Sequence, residues 1–178
     1  MKKIVLFIAA FFLLAANVIL VTNVNANDAP EEVDIDLTSG DKLPRMASLR
    51  SNQVNARSGP GSRYPIEWIY MQKNAPVEIL AEFELWRKIK DWEGSESWVH
   101  KPMLSSRRMA KITKVGEADI HSKPEVDSKV LSRVESGVVG EIRKCPSMTD
   151  FCLIRFKNIE GWVQKGNFFG VYGDEVID

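Results

Sequence analysis

The fold follows from a short pattern that occurs twice in the chain, as VNARSGPG at residues 54–61 and as ADIHSKPE at residues 118–125. The pairs Trp98-Val99 and Trp162-Val163 repeat with the same offset of 64 residues. Self-similarity at a constant period indicates repeated structural units. The sequence therefore predicts two consecutive units of about 60 residues each.

Each predicted unit, one at residues 44–106 and one at 107–172, has the pattern of short strands separated by turns. Residues 77–83 alternate between apolar and polar side chains, which indicates a strand with one buried face. Residues 58–61 form a Gly- and Pro-rich turn cluster. Short strands with a turn every eight to twelve residues are typical of a small sandwich or barrel. We therefore predict an all-β protein.

Three stretches of the chain carry a family resemblance. Residues 54–65 read VNARSGPGSRYP, residues 97–108 read SWVHKPMLSSRR, and residues 169–175 read FGVYGDE. These stretches resemble the opening, the junction and the close of exported Gram-negative bacterial proteins with two SH3-like domains in tandem. Residues 97, 106 and 169 depart from that pattern, since the family has Gly, Gly and Trp there. The resemblance extends over about residues 46–176.

The resemblance implies two tandem small SH3-like β-barrels that act as a binding module. Some related modules bind peptidoglycan peptides. For the tandem subgroup, the resemblance implies no particular ligand. The implied partners are therefore a peptidoglycan peptide or an envelope protein segment.

The first 26 residues have the layout of a secretory signal peptide. Lys2 and Lys3 precede an apolar run at residues 4–16, and Val24-Asn25-Ala26 fits a cleavage site. We predict cleavage after Ala26 and a periplasmic or secreted protein without membrane attachment. An uncleaved membrane anchor is the alternative.

The net charge of zero hides unlike segments. The chain has 24 basic and 24 acidic residues, but residues 27–43 hold six acids against one lysine. We predict a flexible acidic arm there and an acidic tail at residues 173–178. Residues 44–172 carry 21 basic and 15 acidic side chains, so the body is mildly basic. A nucleic-acid ligand is not expected, because phosphate binding needs a larger basic excess.

Cys145 and Cys152 are the two cysteines of the chain and lie seven residues apart. Export to an oxidising compartment favours a disulfide between them, and the family resemblance also suggests a pair here. The alternatives are a catalytic thiol with His100 or His121 as base, and a metal site. Neither histidine lies in a recognisable catalytic motif, and the spacings of the cysteines and histidines fit no zinc pattern.

We expect neither catalysis nor a cofactor or metal. No glycine-rich phosphate loop or nucleophile motif is present in the sequence. The carboxylate pairs Glu82/Glu84 and Glu93/Glu96 could serve acid–base chemistry, and a solvated strand face or turn is the simpler interpretation.

The candidate ligand-binding residues are aromatic and basic side chains of the first unit, which holds four of the five tryptophans. They are Arg57, Arg63, Tyr64, Trp68, Trp86 and Trp92. Trp98 and Trp162 recur in both units and are predicted to be core. Trp92 lies in a polar turn and is predicted to be exposed. On this hypothesis the first unit recognises the ligand and the second supports it.

The predicted function is a non-catalytic exported binding protein that recognises a cell-wall peptide or an envelope protein segment. The alternative is a secreted interaction protein that acts on a partner outside the cell. A signal peptide serves both, so the sequence does not separate them.

Overall fold

The structure is a computed structural model that describes residues 41–178. The predicted signal peptide and the predicted arm as far as residue 40 lie outside the described residues. The described part contains fourteen strands and two short 3-10 helices, Lys101–Met103 and Lys165–Asn167, but no α-helix. The prediction of an all-β protein is confirmed. Between residues 41 and 178, no helix has the length and apolarity needed to cross a bilayer.

The first seven strands, β1 to β7, form one antiparallel sheet. They are Arg45–Leu49, Val54–Arg57, Ile66–Tyr70, Pro76–Phe83, Trp86–Lys90, Glu96–His100 and Leu104–Ser105. Their order across the sheet is β3-β2-β6-β5-β4-β1-β7. Strands β4 and β5 form a tight hairpin, since Phe83 lies directly opposite Trp86.

The next seven strands, β8 to β14, form a second antiparallel sheet. They are Met109–Ile112, Glu117–His121, Val130–Glu135, Val139–Lys144, Phe151–Arg155, Glu160–Gln164 and Phe168–Phe169. Their order, β10-β9-β13-β12-β11-β8-β14, repeats the order of the first sheet strand for strand. The sheets therefore share one topology.

The sheets are open at their edges. Within residues 41–178, no pairing joins β3 to β7 or β10 to β14, so the predicted closure into β-barrels is not confirmed. A barrel needs a continuous ladder around its circumference. Strands β7 and β14 have two residues each and are too short to carry such a ladder to the opposite edge.

Each sheet has its own hydrophobic core. The first core is built from side chains of residues 43–104 and the second from side chains of residues 110–177. Fully buried aliphatic side chains such as Leu49 and Ile154 each stabilise the fold by roughly 1.5–3 kcal/mol relative to exposure. The two cores share no residue.

Trp98 and Trp162 are only half-buried, so the prediction that they are core residues is wrong. Each precedes a fully buried valine, Val99 or Val163. Successive side chains of a strand point to opposite faces of the sheet. The repeated Trp-Val pair therefore marks strands whose valine points inward and whose tryptophan lies on the outer face.

A disulfide joins Cys145 and Cys152, whose Cα atoms lie 4.3 Å apart, as predicted. Both cysteines are fully buried in the second core and close the connection between β11 and β12. Neither is a free thiol, so the alternative of a catalytic cysteine is wrong.

The predicted acidic tail is attached to the second sheet. Ile177 exchanges two backbone hydrogen bonds with Cys145, of 2.7 and 3.0 Å, and packs against the second core. The guanidinium of Arg108 binds both carboxylate oxygens of Glu175, with 2.9 Å between Nη2 and Oε2. Burial alone would raise the pKa of Glu175, but the bonds from Arg108 and the Tyr172 amide outweigh it and lower that pKa.

The end of the predicted arm also has contacts. Leu43 packs against the first core, and Asp41 forms an ion pair of 3.2 Å with Arg45. The first sheet therefore makes contacts from at least residue 41 onward.

Candidate functional site

An open groove lies over the outer face of strands β2, β5 and β6. In β2, Val54 and Ala56 are buried while Asn55 points outward, and β5 and β6 alternate in the same way. The strict period of two gives the sheet one apolar face toward the core and one polar and aromatic face toward solvent. The groove occupies that second face.

The groove has a volume of about 1080 Å³. It is lined by residues from β2, β5 and β6, from the connections before and after β2, from the β4–β5 hairpin and from the short helix after β6. These are Ser51, Gln53, Asn55, Arg57, Pro60, Gly61, Ser62, Arg63, Phe83, Glu84, Trp86, His100 and Met103.

An aromatic pair forms the floor of the groove. Trp86 and His100 lie opposite one another in β5 and β6, with ring centroids 5.3 Å apart and planes inclined by 51°. Cross-strand aromatic pairs of this kind stabilise a sheet face and offer a flat surface for stacking. Both residues are half-buried and line the groove, so each is partly open to solvent there.

The loop at residues 58–65 forms one wall of the groove, and Arg57 holds it in place. The Arg57 Nη1 donates a hydrogen bond of 2.6 Å to the carbonyl oxygen of Tyr64. The Tyr64 ring covers Gly59, where a Cβ atom would lie 2.5 Å from ring carbons. Arg63 lies 5.4 Å from the centroid of the same ring, at cation–π distance. Tyr64 therefore supports the wall by its contacts with Gly59 and Arg63, although it does not line the groove itself.

The two-residue β4–β5 hairpin forms the opposite wall. Glu84 has φ of +47°, the left-handed conformation that such tight hairpins need at a turn residue. The buried Arg87 donates hydrogen bonds of 2.9 and 2.8 Å to the carbonyl oxygens of Glu84 and Trp86. This bonding fixes the turn and points the Glu84 side chain to solvent.

Glu82 belongs to the interior, although a solvated position was the simpler interpretation of its sequence. It is 1% exposed and forms ion pairs of 3.0 Å with Arg87 and 2.8 Å with Arg45. A buried carboxylate needs such partners, because an unpaired charge in the interior is costly. Glu82 thus anchors the arginine that holds the hairpin.

The structure brings three of the six predicted ligand residues, Arg57, Arg63 and Trp86, to the groove. Tyr64 lies behind its wall. Trp68 and Trp92 do not line the groove, since both pack against the first core around Tyr70. The sequence hypothesis thus joined groove residues with residues from another face.

Trp92 is half-buried, which corrects the expectation that it is exposed. The Lys111 Nζ of the second sheet lies 3.3 Å from its ring centroid and donates a hydrogen bond of 2.8 Å to Gln72 Oε1. Gln72 in turn donates to the carbonyl oxygen of Gly137 at 3.0 Å. Desolvation lowers the pKa of Lys111, although Glu93 and Asp91 oppose the shift. Trp92 therefore belongs to the contact between the two sheets.

The turn that contains Trp92 is held by Asp91. Its Oδ1 accepts hydrogen bonds of 2.9 Å from the amides of Glu93 and Ser95, and its Oδ2 accepts one of 3.0 Å from Tyr70. Burial, and the nearby Asp91 charge, raise the pKa of Tyr70 to about 12. Tyr70 is a structural residue of the first core.

Sequence reasoning missed His100, Glu84 and Phe83 as groove residues. The signal was present for His100, since β6 predicts outward side chains at every second residue and His100 follows the buried Val99 by one. Glu84 and Phe83 enter the groove because of the hairpin turn, and no sequence motif marks that turn.

The corresponding part of the second sheet is built differently. Strands β11 and β12 are joined by residues 145–150, a longer connection that the disulfide closes at its base. The Thr149 Oγ1 donates a hydrogen bond of 3.2 Å to the carbonyl oxygen of Pro124, in the loop after β9. The two loops that form separate walls in the first sheet are therefore tied together in the second.

The groove lies in the part of the chain that matches a family model. Residues 50–106 match the family model of the bacterial SH3 domain. The matched segment contains every residue that lines the groove. It begins inside the first sheet and ends directly after β7.

Among solved structures, the chain is similar to NlpC2 and NlpC1 from Trichomonas vaginalis. The identities are 17% and 16%, and the TM-scores are 0.33 and 0.32. Each alignment covers 72% of this chain, which spans 49% of NlpC2 and 46% of NlpC1. No curated protein sequence matches the chain.

Within residues 41–178, no group of three or more His, Cys, Asp or Glu side chains is arranged to hold a metal ion. The two histidines lie in different sheets, His100 against Trp86 and His121 against Phe151. The His121 Nδ1 lies 3.3 Å from the carbonyl oxygen of Ser128.

Proposed function

We propose that the protein is a non-catalytic binding protein and that its groove recognises a cell-wall peptide or a peptide segment of an envelope protein. Bacterial SH3 domains are commonly cell-wall or peptidoglycan binding modules. The single observation that carries the proposal is the open groove within the matched segment, with its aromatic floor and its two arginines. Aromatic grooves are a recurrent means of holding extended peptides.

The second sheet acts in this proposal as a second SH3-like domain that supports the first. Its strand order supports a tandem arrangement, because it repeats the order of the first sheet. Its tied loops favour a supporting role, because Thr149 and Pro124 connect the segments that would have to stay apart around a ligand.

Export to the periplasm or the medium completes the proposal. The buried disulfide supports it, because such bonds form and persist in oxidising compartments and are rare in the cytosol. The signal-like sequence at residues 1–26 supports the same location.

Retention on purified peptidoglycan sacculi tests the function. We expect the protein to sediment with sacculi and Trp86→Ala to reduce the retained fraction at least tenfold, because the floor of the groove is lost. Trp162→Ala is the matched control, since it removes the same side chain from the outer face of the second sheet. Circular dichroism verifies that both variants are folded.

Failure of the wild-type protein to sediment would remove the cell-wall ligand. In that case cross-linking in isolated envelopes and in culture medium distinguishes an envelope protein partner from a partner outside the cell. Equal losses for Trp86→Ala and Trp162→Ala would contradict the assignment of the ligand to the first sheet.

A further inference from the structure

The charges that line the groove differ from their neighbours in one respect. On β5, Lys88 pairs with Glu96 of β6 at 2.6 Å, and Lys90 pairs with Glu78 of β4. Within residues 41–178, no ion pair neutralises the guanidinium groups of Arg57 and Arg63 or the carboxylate of Glu84. Two lysines of β5 are therefore paired, whereas three charges that line the groove have no ion pair among the described residues.

These three charges are separated by sign. Arg57 ends β2 and Arg63 lies in the loop that follows, whereas Glu84 lies in the hairpin between β4 and β5. Strands β2 and β5 are two positions apart in the sheet, with β6 between them. Arg57 lies level with Lys88 across β6, and Glu84 lies four residues before Lys88, so the two charges are separated along the strands as well as across them.

The floor between the walls suits a peptide backbone. Trp86 and His100 offer ring faces, and the exposed amide side chains of Asn55 and Gln53 lie along the same groove. Side-chain amides both donate and accept hydrogen bonds, so they match the N–H and C=O groups of an extended chain.

We propose that the groove selects short zwitterionic peptides, with a free carboxylate at Arg57 and Arg63 and a free ammonium group at Glu84. This inference rests on the proposed function and names the ligand chemistry of the same site. Guanidinium groups bind carboxylates through paired hydrogen bonds, and Glu84 accepts from an ammonium group on the opposite wall. The ligand therefore binds in one direction along the groove, with its carboxylate toward the loop after β2 and its ammonium group toward the β4–β5 hairpin.

Trialanine with free termini is the test probe, because its only charges are one ammonium and one carboxylate group. Binding is followed by NMR chemical-shift titration of the wild-type protein. We expect saturable shifts at Trp86 and His100. Acetylation of the amino terminus or amidation of the carboxyl terminus should each weaken binding at least fivefold, and capping both ends should abolish saturation. Equal binding of the free and doubly capped peptides, or no saturable shift with the free peptide, would overturn the inference.

Variants assign each end of the peptide to a wall. Glu84→Gln should bind the free and the acetylated peptide equally, whereas amidation should still weaken its binding. Arg63→Gln should show a reduced response to amidation and keep the response to acetylation. Lys129→Gln is the matched control, an exposed charge in the corresponding loop of the second sheet, and should behave as wild type in every titration.

The sacculus experiment separates this inference from the proposed function. Retention on sacculi combined with indifference to capping would leave the proposed function standing and remove the zwitterion selectivity. Selective binding of uncapped trialanine without retention on sacculi would keep the groove chemistry and remove the cell-wall ligand.

Discussion

The groove face of the first sheet and the corresponding face of the second sheet share a strand order but differ in one connection. A two-residue hairpin joins β4 to β5, and a longer loop that begins at the disulfide joins β11 to β12. The groove lies between the short hairpin and the loop after β2. In the second sheet, Thr149 donates a hydrogen bond to Pro124 and so connects the two corresponding loops. The length of one hairpin thus separates a face with an open groove from a face with tied loops.

Removal of the disulfide tests the structural half of this comparison and has the largest expected effect. The double variant Cys145→Ser/Cys152→Ser should lower the free energy of unfolding by about 2.5 kcal/mol, from the chain entropy of the eight-residue loop. Chemical denaturation measures the loss. Ligand retention under folding conditions should stay at the wild-type level, and a parallel loss of binding would show that the second sheet takes part in recognition.

The first sheet depends on a hydrogen-bonded turn where the second depends on a covalent bond. Asp91→Ala leaves the Tyr70 hydroxyl and two turn amides without their acceptor. We expect a loss of roughly 2 kcal/mol in the free energy of unfolding, since buried unsatisfied groups are costly. Tryptophan fluorescence during urea denaturation reports the change. Asp174→Ala, an exposed acid, is the control, and an equal effect of both changes would contradict the role of Asp91.

The contact between the sheets offers a smaller test. Lys111→Ala removes the cation above Trp92 and the hydrogen bond to Gln72, which together stabilise the contact by about 1 kcal/mol. We expect the calorimetric unfolding transition of the variant to broaden or split relative to wild type, because the two sheets are less strongly coupled. Lys114→Ala alters an exposed neighbour and should keep the wild-type profile. A single unchanged transition for Lys111→Ala would show that other contacts hold the sheets together.

The smallest expected effect is on the stability of the fold at acidic pH. The folded protein lowers the pKa of Glu175, so the ion pair with Arg108 stabilises the fold above the usual carboxyl pKa of 4.5. That contribution disappears as the pH falls through the lowered pKa. Glu175→Gln should therefore show a shallower decline of melting temperature between pH 5 and 3 than wild type. An unchanged slope would place the acid sensitivity elsewhere.

The period of two and the repeat predicted the class of the fold because both reflect the backbone itself. Alternation in β2 and β6 determines which side chains are buried, and the offset of 64 residues appears in the structure as two identical strand orders. The same alternation could have corrected the assignment of Trp98, because a strand cannot bury both Trp98 and Val99 on one face.

The groove was only partly predictable, for a physical reason. Arginine and tryptophan are residue types that suggest a ligand site, which favours Arg57 and Trp86 but favours Trp92 equally. The ring of Trp92 is covered by Lys111 from the other sheet. A contact between side chains 19 residues apart and in different sheets has no periodic signature. Glu84 was overlooked as a groove residue for the complementary reason, because its position depends on a turn.

The separation of the two cores has a consequence for the order of folding. The first core uses side chains only as far as residue 104, whereas the second also needs Ile177 against Cys145. On the proposed export route, a chain that emerges from its amino terminus onward presents all of the first core before the second is complete. Until then, Trp92, Gln72 and Glu78 face water in place of Lys111 and Tyr172. The polar side chains of Gln72 and Glu78 keep part of that surface hydrated.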